Sequence, residues 1–181
     1  HIHFAAAPEY RNRLIQLGEN PNNVFCFGGL GVDAINRTKI LSKYQLAKAL
    51  NIELGSPCFL ITYHPITLEQ NYGIDGLDQI FEALKFFPEA KVCFTSPNAD
   101  TNSIILTNKI KNFVKNNYNA YLFSSMGQIK YYSCLKYFDA VIGNSSSGLL
   151  EAPSFQIPTI NIGNRQNGRL KADSVIDCEL N

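Results

Sequence analysis

Between residues 139 and 169 the chain carries side chains whose types and spacing suit a phosphorylated ligand. Residues Asn144, Ser145, Ser146 and Ser147 run together, Gly148 follows, and Glu151 stands six residues beyond Ser145. The apolar run Ala140, Val141, Ile142, which follows Asp139, breaks at Gly143 into that small polar turn, and the chain then restarts as a short apolar segment. This pattern predicts a strand that feeds a helix N-terminus through residues small enough for a ligand to touch backbone. Unpaired N–H groups and the positive end of a helix dipole attract phosphate at such a turn. No Lys follows in the Walker arrangement and no glycine triplet in the dinucleotide arrangement, which argues against an ATPase or a simple NAD domain. A nucleotide diphosphate carrying another group fits better.

The next apolar run, Ile157 to Gly163, reads as a second buried strand, and a glycine-bearing loop with Arg165 and Arg169 leaves its end. In an open parallel sheet, ligands sit outside the carboxyl ends of strands. An arginine there offers a planar fork of donors matched to phosphate oxygens. On a helix rising about 1.5 Å per residue, Glu151 would lie roughly 9 Å from Ser145, placed to accept hydrogen bonds from ribose hydroxyls. Each feature alone has a plainer explanation: the serines as a helix cap, Arg165 as a surface charge, Glu151 as an acid favoured in an early helix turn. Their conjunction around adjacent strand ends favours the ligand.

The stretch from Val141 to Phe155, with Ile157 to Arg169, resembles the UDP-N-acetylglucosamine 2-epimerase family. Within it, the Gly143–Ser146 and Arg165–Arg169 elements are similar to the hydrolysing enzymes that begin sialic acid synthesis. The segments Ala7 to Arg13, Gly28 to Asp33 and Ile61 to Pro65 continue the likeness in the same order, so it covers essentially the whole chain. The resemblance implies an enzyme that eliminates UDP from UDP-N-acetylglucosamine by removing the C2 proton, then adds water to the glycal to release N-acetylmannosamine. It implies a UDP-sugar substrate, no cofactor and no metal, and a full-length protein that is a homo-oligomer. The carboxylates that handle the C2 proton belong, by the same resemblance, to an N-terminal domain absent from this chain, so the chain alone should bind rather than react.

Carried over residue by residue, the likeness makes His64 the histidine near the diphosphate that helps the leaving group depart. That suits an imidazole, whose ordinary pKa lies near neutrality and which can donate to an oxygen gaining charge. A structural alternative for His64 is a strand end beside Pro65. Ser145 and Ser146 match the phosphate-binding serines, Glu151 the ribose-binding acid and Arg165 the diphosphate-binding arginine. Asn98 matches a position near the ligand, with loop capping as its alternative role. Met126 falls where the family reads uracil through backbone atoms, its side chain serving packing. The non-hydrolysing branch usually has Asp-Ser-Gly-Gly where this chain has Asn144 to Ser147, which favours the hydrolysing branch. Related hydrolases act on 2,4-diacetamido sugars. A glycosyltransferase or a non-catalytic nucleotide-sugar-binding domain on the same fold is the alternative class.

Positioning these groups requires a sheet, and the remaining sequence supplies one. Apolar runs at Pro57 to Tyr63, Val92 to Thr95 and Ala120 to Phe123 alternate with helical stripes: Leu77, Ile80, Phe81, Leu84 and Phe87 after a candidate cap at Asp75; Leu106, Ile110, Phe113 and Val114 after Asp100; Tyr131, Cys134, Leu135 and Phe138. Ser174 to Cys178 can add an edge. The repeated unit predicts an α/β fold, a doubly wound parallel sheet of Rossmann type with helices on both faces. By resemblance it is one half of a GT-B-type two-domain fold.

The first residues fit that alternation less well, with short strands at His3 to Ala7 and Val24 to Phe27 around a helix at Glu9 to Leu17. Gly28 to Gly31 then breaks the chain before a polar helical stretch at Ser42 to Leu50. Residues 1–35 therefore read as the tail and hinge of a preceding domain, and 36–181 as the nucleotide-binding domain. The start at His1, without Met, agrees with a piece of a longer protein. With 181 residues, 45% hydrophobic, the chain can bury a full core. A net charge of +1 gives no support for nucleic acid or a membrane surface as partner. No apolar run approaches the ~20 residues of a membrane span. Five widely spaced cysteines without a Cys-x-x-Cys pair read as buried free thiols in a reducing compartment, which points to the cytoplasm. His1 and His3 are set aside as metal ligands because no carboxylate or thiol is expected nearby.

Overall fold

The computed structural model describes residues 1–66, 71, 73–98 and 103–179. They fall into two compact units, His1–Thr38 and Lys39–Asn181. In the first, β1 (His3–Ala5) and β2 (Val24–Cys26) pair in parallel across α1 (Pro8–Gln16), a single strand–helix–strand crossover. Pro8 opens α1 at the first helical position, where its missing N–H costs nothing. Arg11 Nε donates to the Val24 carbonyl at 3.0 Å and ties helix to strand. A second helix, α2 (Leu30–Arg37), follows where the glycines predict only a break. Gly28 takes its left-handed φ of 87° and Gly29 the cap, so both lie ahead of the helix. The expectation that no carboxylate stands near His3 is corrected: His3 Nε2 meets Glu19 Oε2 at 2.9 Å.

The second unit opens with α3 (Lys43–Leu50), fixed at its start by a reciprocal capping box between Ser42 and Gln45. Six parallel strands follow: β3 (Cys58–Thr62), β4 (Lys91–Thr95), β5 (Ala120–Phe123), β6 (Ala140–Gly143), β7 (Thr159–Ile162) and β8 (Val175–Cys178). They lie in the order β5-β4-β3-β6-β7-β8. β3, made first, is the centre, and all five of its residues are buried, as a parallel strand covered on both faces requires. Phe59, Ile61 and Tyr63 turn to one face, under Leu77 and Ile80 of α4 (Ile74–Leu84) and Leu106 and Ile110 of α5 (Ser103–Asn116). Phe81 stacks on Phe113 with ring centroids 4.3 Å apart inside that layer. Cys58 and Leu60 belong to the opposite face, where α3 packs against α6 (Gly127–Tyr137). This is the doubly wound sheet that the alternating pattern predicts.

Differences lie at the element ends. Asp75 is not the cap of α4: Gly73 holds that position in the left-handed region, and Asp75 sits in the first turn, paired with the Asn71 amide. Asp100 lies outside the described residues. The helix after the serines is a single turn, α7 (Ser147–Leu150), followed by a 3₁₀ turn at Ala152–Phe155. Pro153 has no N–H with which to extend an α-helix, so the straight helix expected between Ser145 and Glu151 does not form. Cys58, Cys93 and Cys134 are buried, but Cys26 is half-buried and Cys178 exposed, against the expectation for those two.

Candidate functional site

The direction of winding reverses beside β3. The chain leaves β3 for β4 and β5 on one side, then returns to β6 on the other and continues to β7 and β8. Thr62, at the carboxyl end of β3, is level with Thr95 of β4 and Gly143 of β6. Gly143 adopts φ 132°, and a Cβ there would stand 2.1 Å from the Thr62 carbonyl oxygen. Only glycine lets β6 turn away this close to β3. Beyond these strand ends opens a cleft of about 350 Å³, lined by His64, Asn98, Met126, Tyr131, Ser145 and Glu151 among others.

Asn144 organises one wall. It is fully buried; its Oδ1 accepts from the His64 backbone N–H at 2.7 Å, and its Nδ2 donates to the His64 carbonyl at 2.9 Å. Its own carbonyl accepts from Arg165 Nη1 at 3.1 Å and from Gln166 Nε2 at 2.7 Å. The His64 ring is held from the far side, its Nδ1 accepting the Asn98 N–H at 3.1 Å. A neutral imidazole that accepts at Nδ1 carries its proton at Nε2, the tautomer able to donate to a ligand oxygen.

The other wall is rich in hydroxyls. Thr62 and Thr95 share a hydrogen bond of 2.7 Å. Tyr131 donates to Ser147 Oγ at 2.6 Å, and the Ser147 N–H reaches Ser145 Oγ at 3.4 Å. Burial pushes the Tyr131 phenol up to about 12, so it serves as a neutral donor. Tyr132 donates to Glu151 Oε1 at 3.3 Å, leaving that half-buried carboxylate with further acceptor capacity. Hydroxyls, backbone amides, one imidazole and one carboxylate suit a polyol diphosphate. Among the described residues, no group of three or more His, Cys, Asp or Glu could hold a metal ion.

Of the residues singled out from sequence, His64, Asn98, Met126, Ser145 and Glu151 line the cleft. The Met126 side chain is buried, with its sulfur 3.8 Å from the Cys134 thiol. Ser146 and Arg165 are not in the lining. Ser146 takes the N-cap position of α7, and Ser147 lines the cleft in its place. Arg165 stands behind Asn144 through its carbonyl. Sequence reading passed over Thr62, Thr95, Ser124, Gln128, Tyr131 and Ser147, which also line the cleft. Position would have found three of them: Thr62 and Thr95 end their strands, and Ser124 directly follows one.

Fold and cleft together define an α/β domain with a cleft at its switch point, the place where open α/β sheets bind ligands. The family described as UDP-N-acetylglucosamine 2-epimerase matches residues 1–181, and the chain belongs to it. It is 41% identical to the GDP/UDP-N,N'-diacetylbacillosamine 2-epimerase (hydrolyzing) of Campylobacter jejuni, over 100% of this chain and 47% of that protein. It is 39% identical to the polysialic acid biosynthesis protein P7 of Escherichia coli, over 99% of this chain and 46% of that one. The crystal structure of Methanocaldococcus jannaschii UDP-GlcNAc 2-epimerase, in complex with UDP-GlcNAc and UDP, shares the fold at a TM-score of 0.70 and 16% identity, covering 98% of this chain and 50% of that one. The chain spans about half the length of the curated relatives it matches.

Proposed function

We propose that this chain is the nucleotide-binding half of a hydrolysing 2-epimerase, which converts UDP-N-acetylglucosamine and water to N-acetylmannosamine and UDP on the way to a nonulosonic acid. The observation that carries the reading is one cleft gathering His64, Ser145 and Glu151, with Arg165 tethered behind it. Residues 1–35 are the tail of a preceding domain, and the carboxylates that handle the C2 proton belong to that domain. Ser145 and Ser147, with Arg165 from its tether, hold the diphosphate, Glu151 the ribose, and the backbone near Met126 the base. The free thiols suit a reducing compartment such as the cytoplasm. No helix among the described residues is long and apolar enough to cross a membrane.

In this mechanism a base in the preceding domain takes the C2 proton. The C2–H electron pair forms the C1–C2 double bond, and the C1–O bond breaks with its electrons leaving on UDP. His64, with its proton at Nε2, donates to the departing diphosphate, the group gaining charge. Water then adds across the double bond, hydroxyl to C1 and hydrogen to C2 on the opposite face. A 2,4-diacetamido sugar is the second reading, favoured by the name of the 41% identical relative. A product assay on the full-length protein with each UDP-sugar separates the two. Transfer of sugar to an added acceptor, with no free sugar released, would overturn both in favour of a glycosyltransferase.

A further inference from the structure

We infer that Asn144 is a positioning residue, which sets His64 for its part in the reaction and Arg165 for the same ligand through two different ends of one residue. The inference rests on the role given to His64 above. Gly143 turns the chain away from β3, so past Thr62 a regular ladder has no partner strand to continue with. The Asn144 side chain takes that place. Its amide is a peptide group in miniature, and it pairs with the N–H and the carbonyl of His64 as an opposing strand residue would, at 2.7 and 2.9 Å. The orientation is unambiguous, because only Oδ1 can accept the N–H and only Nδ2 can serve the carbonyl.

His64 is 6% exposed and Asn144 0%, so both backbone groups are out of reach of bulk water. They have lost nothing to burial only while the amide is present. With the main chain held by Asn144 and ring Nδ1 held by the Asn98 N–H, the imidazole is fixed at both ends. The Asn144 carbonyl meanwhile accepts from Arg165 and Gln166, and that contact belongs to the backbone. Replacing the Asn144 side chain therefore releases His64 and leaves the arginine tether in place. The geometry predicts a fault in turnover, separate from UDP affinity.

The full-length enzyme carries the test as Asn144→Ala, His64→Ala and the two combined, on whichever UDP-sugar it turns over. Measured are kcat, KM, the UDP dissociation constant and Tm. Asn144→Ala should lower kcat about tenfold or more, with UDP affinity within about threefold of wild type. Added to His64→Ala, it should cost no more than about a further twofold in kcat, because the group it positions is already gone. Losses in kcat that multiply, or an Asn144→Ala enzyme with wild-type kcat, would overturn the positioning role while leaving His64 in the mechanism. His64→Ala with wild-type kcat would instead remove the role of His64 itself, and the inference with it. Should Asn144→Ala fail to fold, Asn144→Asp keeps the shape, lacks the donor for the His64 carbonyl, and is scored by the same cycle.

Discussion

Arg165 reaches the Asn144 carbonyl with one of its nitrogens, which tethers the guanidinium beside the serine turn. If its remaining donors grip the diphosphate as a fork, lysine cannot replace it. Arg165→Ala and Arg165→Lys in the full-length enzyme should both weaken UDP binding by roughly 1.5–3 kcal/mol, about ten- to hundredfold by calorimetry. Unchanged affinity in both variants would return Arg165 to a surface role. His64 makes a different demand, because its help is concentrated where charge develops. His64→Ala should depress kcat by ~10²- to 10⁴-fold and leave KM much less affected, whereas a structural histidine would lower Tm and the active fraction together. Residue types at strand ends were legible from sequence: His64, Ser145 and Glu151 do meet at one cleft. The central role of Asn144 was not, because an amide clipped to the backbone of a residue 80 positions away leaves no local pattern. Tyr131 was hidden by its own periodicity, since a tyrosine in a helical stripe reads as core.

Elements succeed or fail here at their ends. Five strands of the main sheet were legible as apolar runs, as strands of a parallel sheet covered on both faces tend to be, and the mostly exposed β8 only as a possible edge. The α2 helix was concealed by glycines that precede it, and α7 was read too long because Pro153 acts on hydrogen bonding rather than on hydrophobic pattern. The tightest junction is Gly143 against Thr62. Gly143→Ala adds a methyl group 2.1 Å from a backbone oxygen in a region of φ that alanine avoids. We expect a loss of more than about 3 kcal/mol, read as a collapse of soluble folded protein or a large fall in Tm; a variant that melts like wild type would contradict the close approach. The two faces of the sheet also set a limit at high pH. Burial pushes the Cys58 and Cys134 thiols from 9.0 up to about 12, and the Tyr131 phenol from 10.0 to about 12. Above pH 9 the unfolded chain releases protons that the folded chain keeps. Stability is therefore complete below about pH 9 and declines as pH rises towards 12. Thermal melts from pH 8 to 11 should show Tm falling; a flat profile would mean these groups are not buried as described.

For the molecule as a whole, the division at Thr38 and Lys39 separates a small parallel sheet from a complete one. The small unit exposes Phe4 and Phe27 beside Phe25, with ring centroids about 6 Å apart, an aromatic face too apolar for a finished surface. The 181-residue chain, carrying the serine turn, Glu151 and Arg165 but not the proposed base for the C2 proton, should bind UDP and release no sugar. Calorimetry without UDP binding on a folded sample would remove the first half of that expectation, and measurable turnover the second. The strand order has a further consequence, for the ribosome. The centre of the main sheet is made before its neighbours. One edge of β3 can pair once β4 emerges, but the other waits for β6. The contacts that close it, Cys58 N–H to Asp139 Oδ2 at 2.7 Å and Asp139 N–H to the Cys58 carbonyl at 2.8 Å, join residues 81 positions apart. Until about residue 143 has cleared the exit tunnel, a largely apolar strand keeps a raw edge open to other nascent chains. The topology that opens a cleft at the switch point is thus also the one that completes the sheet's middle late in synthesis.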